Sequence, residues 1–110
     1  MARYVPDRGD ILWVDLHPTE GREQDLARPA LVLSPRPFNA KFELVLLAPI
    51  TSKVKSHGFE VLLVGCQTEG AVLCQQVRTI AYVARKARFV EKVPAAITND
   101  VLAKVALLVR

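Results

Sequence analysis

The chain has 110 residues, 51% of them hydrophobic and 24% charged, with five glycines and seven prolines. That length excludes a two-domain enzyme and predicts one domain over 1–110, and that composition excludes disorder. Fifteen Lys and Arg against eleven Asp and Glu leave a net charge of +4, which favours a polyanionic partner over an acid-seeking ligand.

Taken in chain order, Ile11 to Leu16 reads as a first strand. His17 to Ala27 is a polar stretch carrying Glu20, Arg22, Glu23, Gln24 and Asp25, too long for a hairpin turn and of the kind that carries function on a small scaffold. Arg28 to Ser34 is a second strand, with Pro29 near its start, where a missing donor is tolerated. Phe42 to Ile50 is a third and Phe59 to Val64 a fourth. Ala71 to Cys74 begins a fifth, and Arg88 to Val93 forms a short sixth.

Glycines punctuate these runs, and short strands with turn signals predict a small barrel or sandwich. The tail changes period. Ile97, Val101, Val105 and Leu108 recur at helical spacing, with Asp100 and Lys104 paired on another face. The expected fold class is therefore mainly β with a C-terminal α-helix. The longest uncharged run, Leu44 to Ser52, falls far short of the ~20 residues a spanning helix needs, so no membrane partner is expected. The first residues lack an apolar secretory segment. Cys66 and Cys74 are expected as free thiols in a cytoplasmic protein, Cys66 in a turn and Cys74 in the core.

Metal sites fail on spacing. His17 and His57 are far apart, and neither cysteine sits in a CxxC pair. No phosphate loop, dinucleotide fingerprint or hydrolase elbow is present, so neither a metal nor a cofactor is expected. What remains is polar chemistry. Arg28 stands where the polar stretch enters a strand, and Thr51 where the third strand leaves into a loop bearing Lys53 and Lys55. A planar guanidinium and a hydroxyl can hold a phosphate together. The same residues read equally as a solvated strand end, a turn residue and a solubility face.

The stretches Gly9 to Asp15, Asp15 to Gln24, Arg28 to Ser34, Ala48 to Thr51, Gly70 to Leu73, Gln76 to Ile80 and the Val93-Pro94 helix start occur in an order that resembles the MazF/PemK family of toxin endoribonucleases. The resemblance covers nearly the whole chain. It implies an SH3-like small barrel with appended helices, a homodimer, metal-independent cleavage of single-stranded RNA, and a cognate antitoxin whose acidic segment occludes the RNA groove.

RNA carries its own nucleophile, so such an enzyme must align the 2′-hydroxyl, remove its proton, stabilise the phosphorane and release the 5′-oxygen. The resemblance assigns catalysis to Arg28, Thr51 and Glu23. A guanidinium keeps its proton at physiological pH, which suits Arg28 to stabilising phosphorane charge. Thr51 donates to a second oxygen. Glu23 is the base, or else braces Arg28. RNA grip falls to Arg22, Lys53, Lys55, Arg78 and Arg85, with Gln76 orienting the strand. Trp13 is expected to pack at the end of its strand.

The chain departs from one branch of the family. Arg22 replaces a histidine, and Leu73 and Gln75 replace an Arg and an Asp. A protein-binding toxin of the same fold, such as a CcdB-like gyrase poison, and a silent RNA-binding module remain the alternatives.

Overall fold

The computed structural model describes residues 3–16 and 27–110. Its elements are β1 (Asp10–Asp15), β2 (Ala27–Val32), α1 (Arg36–Phe42), β3 (Val45–Thr51), β4 (Glu60–Leu62), β5 (Ala71–Leu73), a 3-10 turn (Cys74–Gln76), β6 (Arg78–Ile80), β7 (Arg88–Lys92) and α2 (Ala95–Ala106). The strands form one antiparallel sheet in the order β4-β5-β3-β2-β1-β7. β6 pairs with the first half of β3, and β5 with its end. The fold is mainly β with a C-terminal helix, as the sequence predicts.

The pleat sorts apolar residues onto two faces. Ile11, Leu31, Leu33, Ala48 and Ile50 turn toward α2, where Ile97 and Val101 complete one core. Leu12, Val14, Ala30, Val32, Val45 and Leu47 turn the other way, under Ile80 and Tyr82, and form a second. The helical stripe meets the first core through Ile97, Val101 and Val105, whereas Leu108 lies past the end of α2 and is 44% exposed. The Lys104–Asp100 pair forms at 3.4 Å. β4 and β7, at the two ends of the sheet, are joined by a side chain. Glu91 on β7 accepts from Gln67 N–H at 3.0 Å, Thr68 N–H at 2.7 Å and the Thr68 hydroxyl at 2.7 Å, all in the loop after β4.

Two elements differ from the sequence reading. Phe42 does not begin the third strand. It ends α1, and the strand starts at Val45. Pro35 caps α1 and Pro37 sits in its first turn, where a missing N–H costs no helical bond. The helix is fastened by Asn39, which is fully buried. Its Nδ2 donates to Pro6 O at 2.8 Å and Ser34 O at 3.0 Å, and its Oδ1 accepts from the Ser34 hydroxyl at 2.6 Å. The second difference is β6, Arg78–Ile80, a three-residue strand that the sequence reading does not include.

Cys74 is buried and Cys66 partly so, and both are free. Burial pushes the Cys74 thiol up to about 11. Trp13 is 40% exposed, on β1 between Pro29 of β2 and Arg88 of β7. Among the described residues no helix is long and apolar enough to cross a membrane.

Candidate active site

The second core ends in a polar mouth. β2 and β3 pair with Ala30 opposite Pro49. Two residues further along each strand, on the same face of the pleat, stand Arg28 and Thr51. Both line a cleft of about 600 Å³ together with Leu16, Pro29, Lys53, Glu69, Leu73, Gln76 and Arg78. The cleft therefore gathers residues from β2, from β3 and its following loop, and from the segment running through β5 and β6.

Each polar group is held differently. Thr51 Oγ1 accepts from Lys53 N–H at 3.0 Å, which occupies a lone pair and leaves the hydroxyl proton to be donated into the cleft. Arg78 Nη1 donates to Leu16 O at 2.9 Å, so one face of its guanidinium is committed to the backbone at the end of β1. Arg28 is exposed and has no ion-pair partner among the described residues. Among the described residues the cleft is lined by three cations, Arg28, Lys53 and Arg78, and one carboxylate, Glu69.

Gly70 makes this arrangement possible. A Cβ at Gly70 would stand 2.2 Å from Thr51 O, and its φ of +125° is one that L side chains rarely adopt. Only glycine lets the start of β5 approach β3 this closely beside Thr51.

The loop after β3 is anchored at its far end by Glu60. Burial pushes that carboxyl up, but hydrogen bonds from Lys55 and Ser56 N–H, with the nearby His57 and Lys55, outweigh it and hold the group below its ordinary value.

Of the residues singled out in the sequence, Arg28, Thr51, Lys53, Gln76 and Arg78 line one cleft, as does Leu73. Lys55 and Arg85 do not line it. Arg85 lies in the turn before β7, where its carbonyl accepts from Asp15 N–H at 3.2 Å. Glu23, Arg22 and His17 lie outside the described residues. Sequence reasoning passed over Glu69 and Leu16. Glu69 gave no signal of its own, because only the Gly70 turn brings it to Thr51.

The family model for the PemK-like, MazF-like toxin of type II toxin–antitoxin systems matches residues 7–109. The endoribonuclease toxin MazF of Escherichia coli strain K12 is 48% identical over 79% of this chain and 78% of its own. The Escherichia coli endoribonuclease PemK is 40% identical over 93% of this chain and 80% of its own. Among solved structures, MazF from Deinococcus radiodurans superposes with a TM-score of 0.86 at 36% identity, covering 96% of this chain and 97% of that one. A MazE–MazF structure from the same organism superposes with a TM-score of 0.84 at 33% identity, covering 96% of each chain.

Proposed function

The chain belongs to the PemK-like, MazF-like toxin family of type II toxin–antitoxin systems and is an endoribonuclease of the MazF type, and from that premise we propose that it cuts single-stranded messenger RNA by attack of the RNA's own 2′-hydroxyl. One observation carries the reading. A guanidinium and a hydroxyl that has no acceptor for its proton among the described residues, Arg28 and Thr51, line the same cleft as Lys53, Gln76 and Arg78.

In this reading a phosphodiester enters the cleft with one non-bridging oxygen on Arg28 and the other on the Thr51 hydroxyl. The 2′-oxygen forms a bond to phosphorus as its proton passes to a carboxylate. Negative charge grows on the equatorial oxygens, where a preorganised donor contributes ~2.7–4 kcal/mol. The bond from phosphorus to the 5′-oxygen then breaks, and that oxygen takes a proton from solvent. The products are a 2′,3′-cyclic phosphate and a 5′-hydroxyl. Lys53 and Arg78 neutralise flanking phosphates, Lys55, Arg22 and Arg85 extend the grip, and Gln76 orients the strand.

Glu23 is the base in this scheme. Glu69, which lines the cleft, is the competing carboxylate. Comparing Glu23→Gln with Glu69→Gln assigns the role, because general-base loss costs ~10²–10⁴-fold and loss of a bystander does not.

No step calls on a metal, and among the described residues no three His, Cys, Asp or Glu side chains converge. The cleft's surplus of cations suits an acidic antitoxin segment as well as RNA. Leu62, the last residue of β4, Val64 just after it, and Leu107 to Val109, beyond α2, leave large apolar side chains exposed, and β4 packs against α2. That surface suits a homodimer.

Incubation with a long unstructured RNA in excess EDTA tests the scheme. Discrete cuts ending in cyclic phosphate support it. Absence of any cut, or cutting only with added metal, refutes it. A gyrase poison would instead trap DNA cleavage complexes.

A further inference from the structure

Every residue from Ser52 to Gly58 is exposed, and the loop between β3 and β4 reaches the core only at its last residue, Phe59, so apolar burial does little to shape the stretch before it. Its order comes from polar contacts at two points. At the near end, Thr51 Oγ1 accepts from Lys53 N–H. At the far end stands Glu60, the first residue of β4, with a side chain only 3% exposed.

Glu60 Oε1 accepts from two successive amides, Lys55 N–H at 2.8 Å and Ser56 N–H at 2.7 Å. Oε2 lies 3.5 Å from His57 Nε2. His57 Nδ1 accepts from Phe59 N–H at 3.2 Å, so the proton of a neutral ring sits on Nε2, toward Glu60. Between these anchors Ser56 is held at φ 62°, a left-handed conformation that an unrestrained serine avoids.

We propose that Glu60 is a positioning residue for RNA: its carboxylate presets the 52–58 loop, fixing how Lys53 is presented to the cleft and Lys55 to the strand beyond it. The inference rests on the RNA-cleaving reading above. A preset loop loses little conformational freedom when RNA binds, so the carboxylate acts on affinity and on the choice of cut site. Arg28 and Thr51 stand on β2 and β3 and do not depend on it.

The test uses Glu60→Ala, Glu60→Gln and His57→Ala with one defined single-stranded RNA. Glu60→Ala is expected to raise KM roughly 5–30-fold, to leave kcat near that of the parent, and to spread cutting over more sites. In Glu60→Gln the amide oxygen keeps both backbone contacts, while its NH₂ meets the proton on His57 Nε2. Its KM therefore falls between parent and Glu60→Ala.

Amide exchange at Lys55 and Ser56 reads the loop directly, whether or not RNA is cut. Protection is expected in the parent and in Glu60→Gln and is expected to be lost in Glu60→Ala. Should Glu60→Ala fail to fold, Glu60→Gln, which disturbs only the Oε2 side, and His57→Ala, which removes the Oε2 contact together with the Phe59 N–H bond, carry the test, and both should raise KM. An active parent whose variants match it in KM and cut sites overturns the inference and leaves the RNA reading standing. Unprotected Lys55 and Ser56 amides in the parent overturn it as well. An inactive parent refutes the RNA reading itself.

Discussion

Arg28 and Thr51 stand at matching positions on neighbouring antiparallel strands, each two residues past the Ala30–Pro49 pair, and both face the same cleft. In the proposed mechanism a phosphate between them is met by charge from one strand and a neutral donor from the other, each held in a strand rather than in a loop, Arg28 paired with Val14 and Thr51 with Ala71. Two substitutions separate these contributions.

Arg28→Ala removes the charge and the fork. Losing ~2.7–4 kcal/mol of transition-state stabilisation should slow single-turnover cleavage about 10²–10³-fold. Arg28→Lys restores charge without the planar pair of donors and should recover only part of the rate. Because Arg28 is exposed, unfolding stability should shift by less than about 0.5 kcal/mol, checked by urea titration.

Thr51→Val keeps the shape and deletes the hydroxyl, which receives Lys53 N–H and, in the proposed mechanism, donates to the phosphate. The expected loss is about 5–10-fold in kcat/KM, from ~1–1.5 kcal/mol. Thr51→Ser should stay close to the parent. Steady-state cleavage of a short fluorescent oligonucleotide separates the two.

Gly70→Ala places a methyl against Thr51 O and adds a backbone conformation costing ~1–3 kcal/mol. Stability and kcat should fall together, because relief of the clash moves Thr51. Retention of full kcat in the folded fraction would show that the threonine does not depend on this approach.

Asn39→Ala tests the fastening of α1. It leaves the carbonyls of Pro6 and Ser34 and the Ser34 hydroxyl short of partners, at ~1–3 kcal/mol for each buried group left unpaired. Calorimetry should show a marked drop in Tm. Since Asn39 does not line the cleft, activity per folded molecule should hold.

Glu60 gives the loop an acid limit. Its carboxyl is held below the ordinary value of 4.5 by the Lys55 and Ser56 amides, against the upward push of burial. A depressed carboxyl favours the folded arrangement fully above its unfolded value and loses that contribution as pH falls through the lower folded one. Exchange protection at Lys55 and Ser56 should therefore persist at pH 6 and fade below about pH 4. In Glu60→Gln it should be flat across that range.

Strand content and the closing helix were legible because their signal is local. Short apolar runs between turn signals mark β1 to β3, and Ile97 and Val101 mark α2 through period alone. Helix α1 was not legible, because it is seven residues long with Pro35 and Pro37 at its start, and the residue that secures it, Asn39, gains meaning only from Pro6 and Ser34. In the site, Arg28 and Thr51 were suggested by their places at strand ends. Their opposition across the sheet and the arrival of Glu69 beside them depend on strand register and on Gly70, which no spacing in the sequence reveals. Lys55 and Arg85 were grouped with the others by charge, and charge does not specify direction.

The two ends of the sheet are fastened by Glu91 on Thr68 and Gln67, not by a ladder of backbone bonds. Such a join is a seam. Protonation of that acid, or its exchange for the amide, costs the join one of its two acceptor oxygens while every strand pair keeps its backbone ladder, so the closure weakens at a side chain and the sheet itself does not.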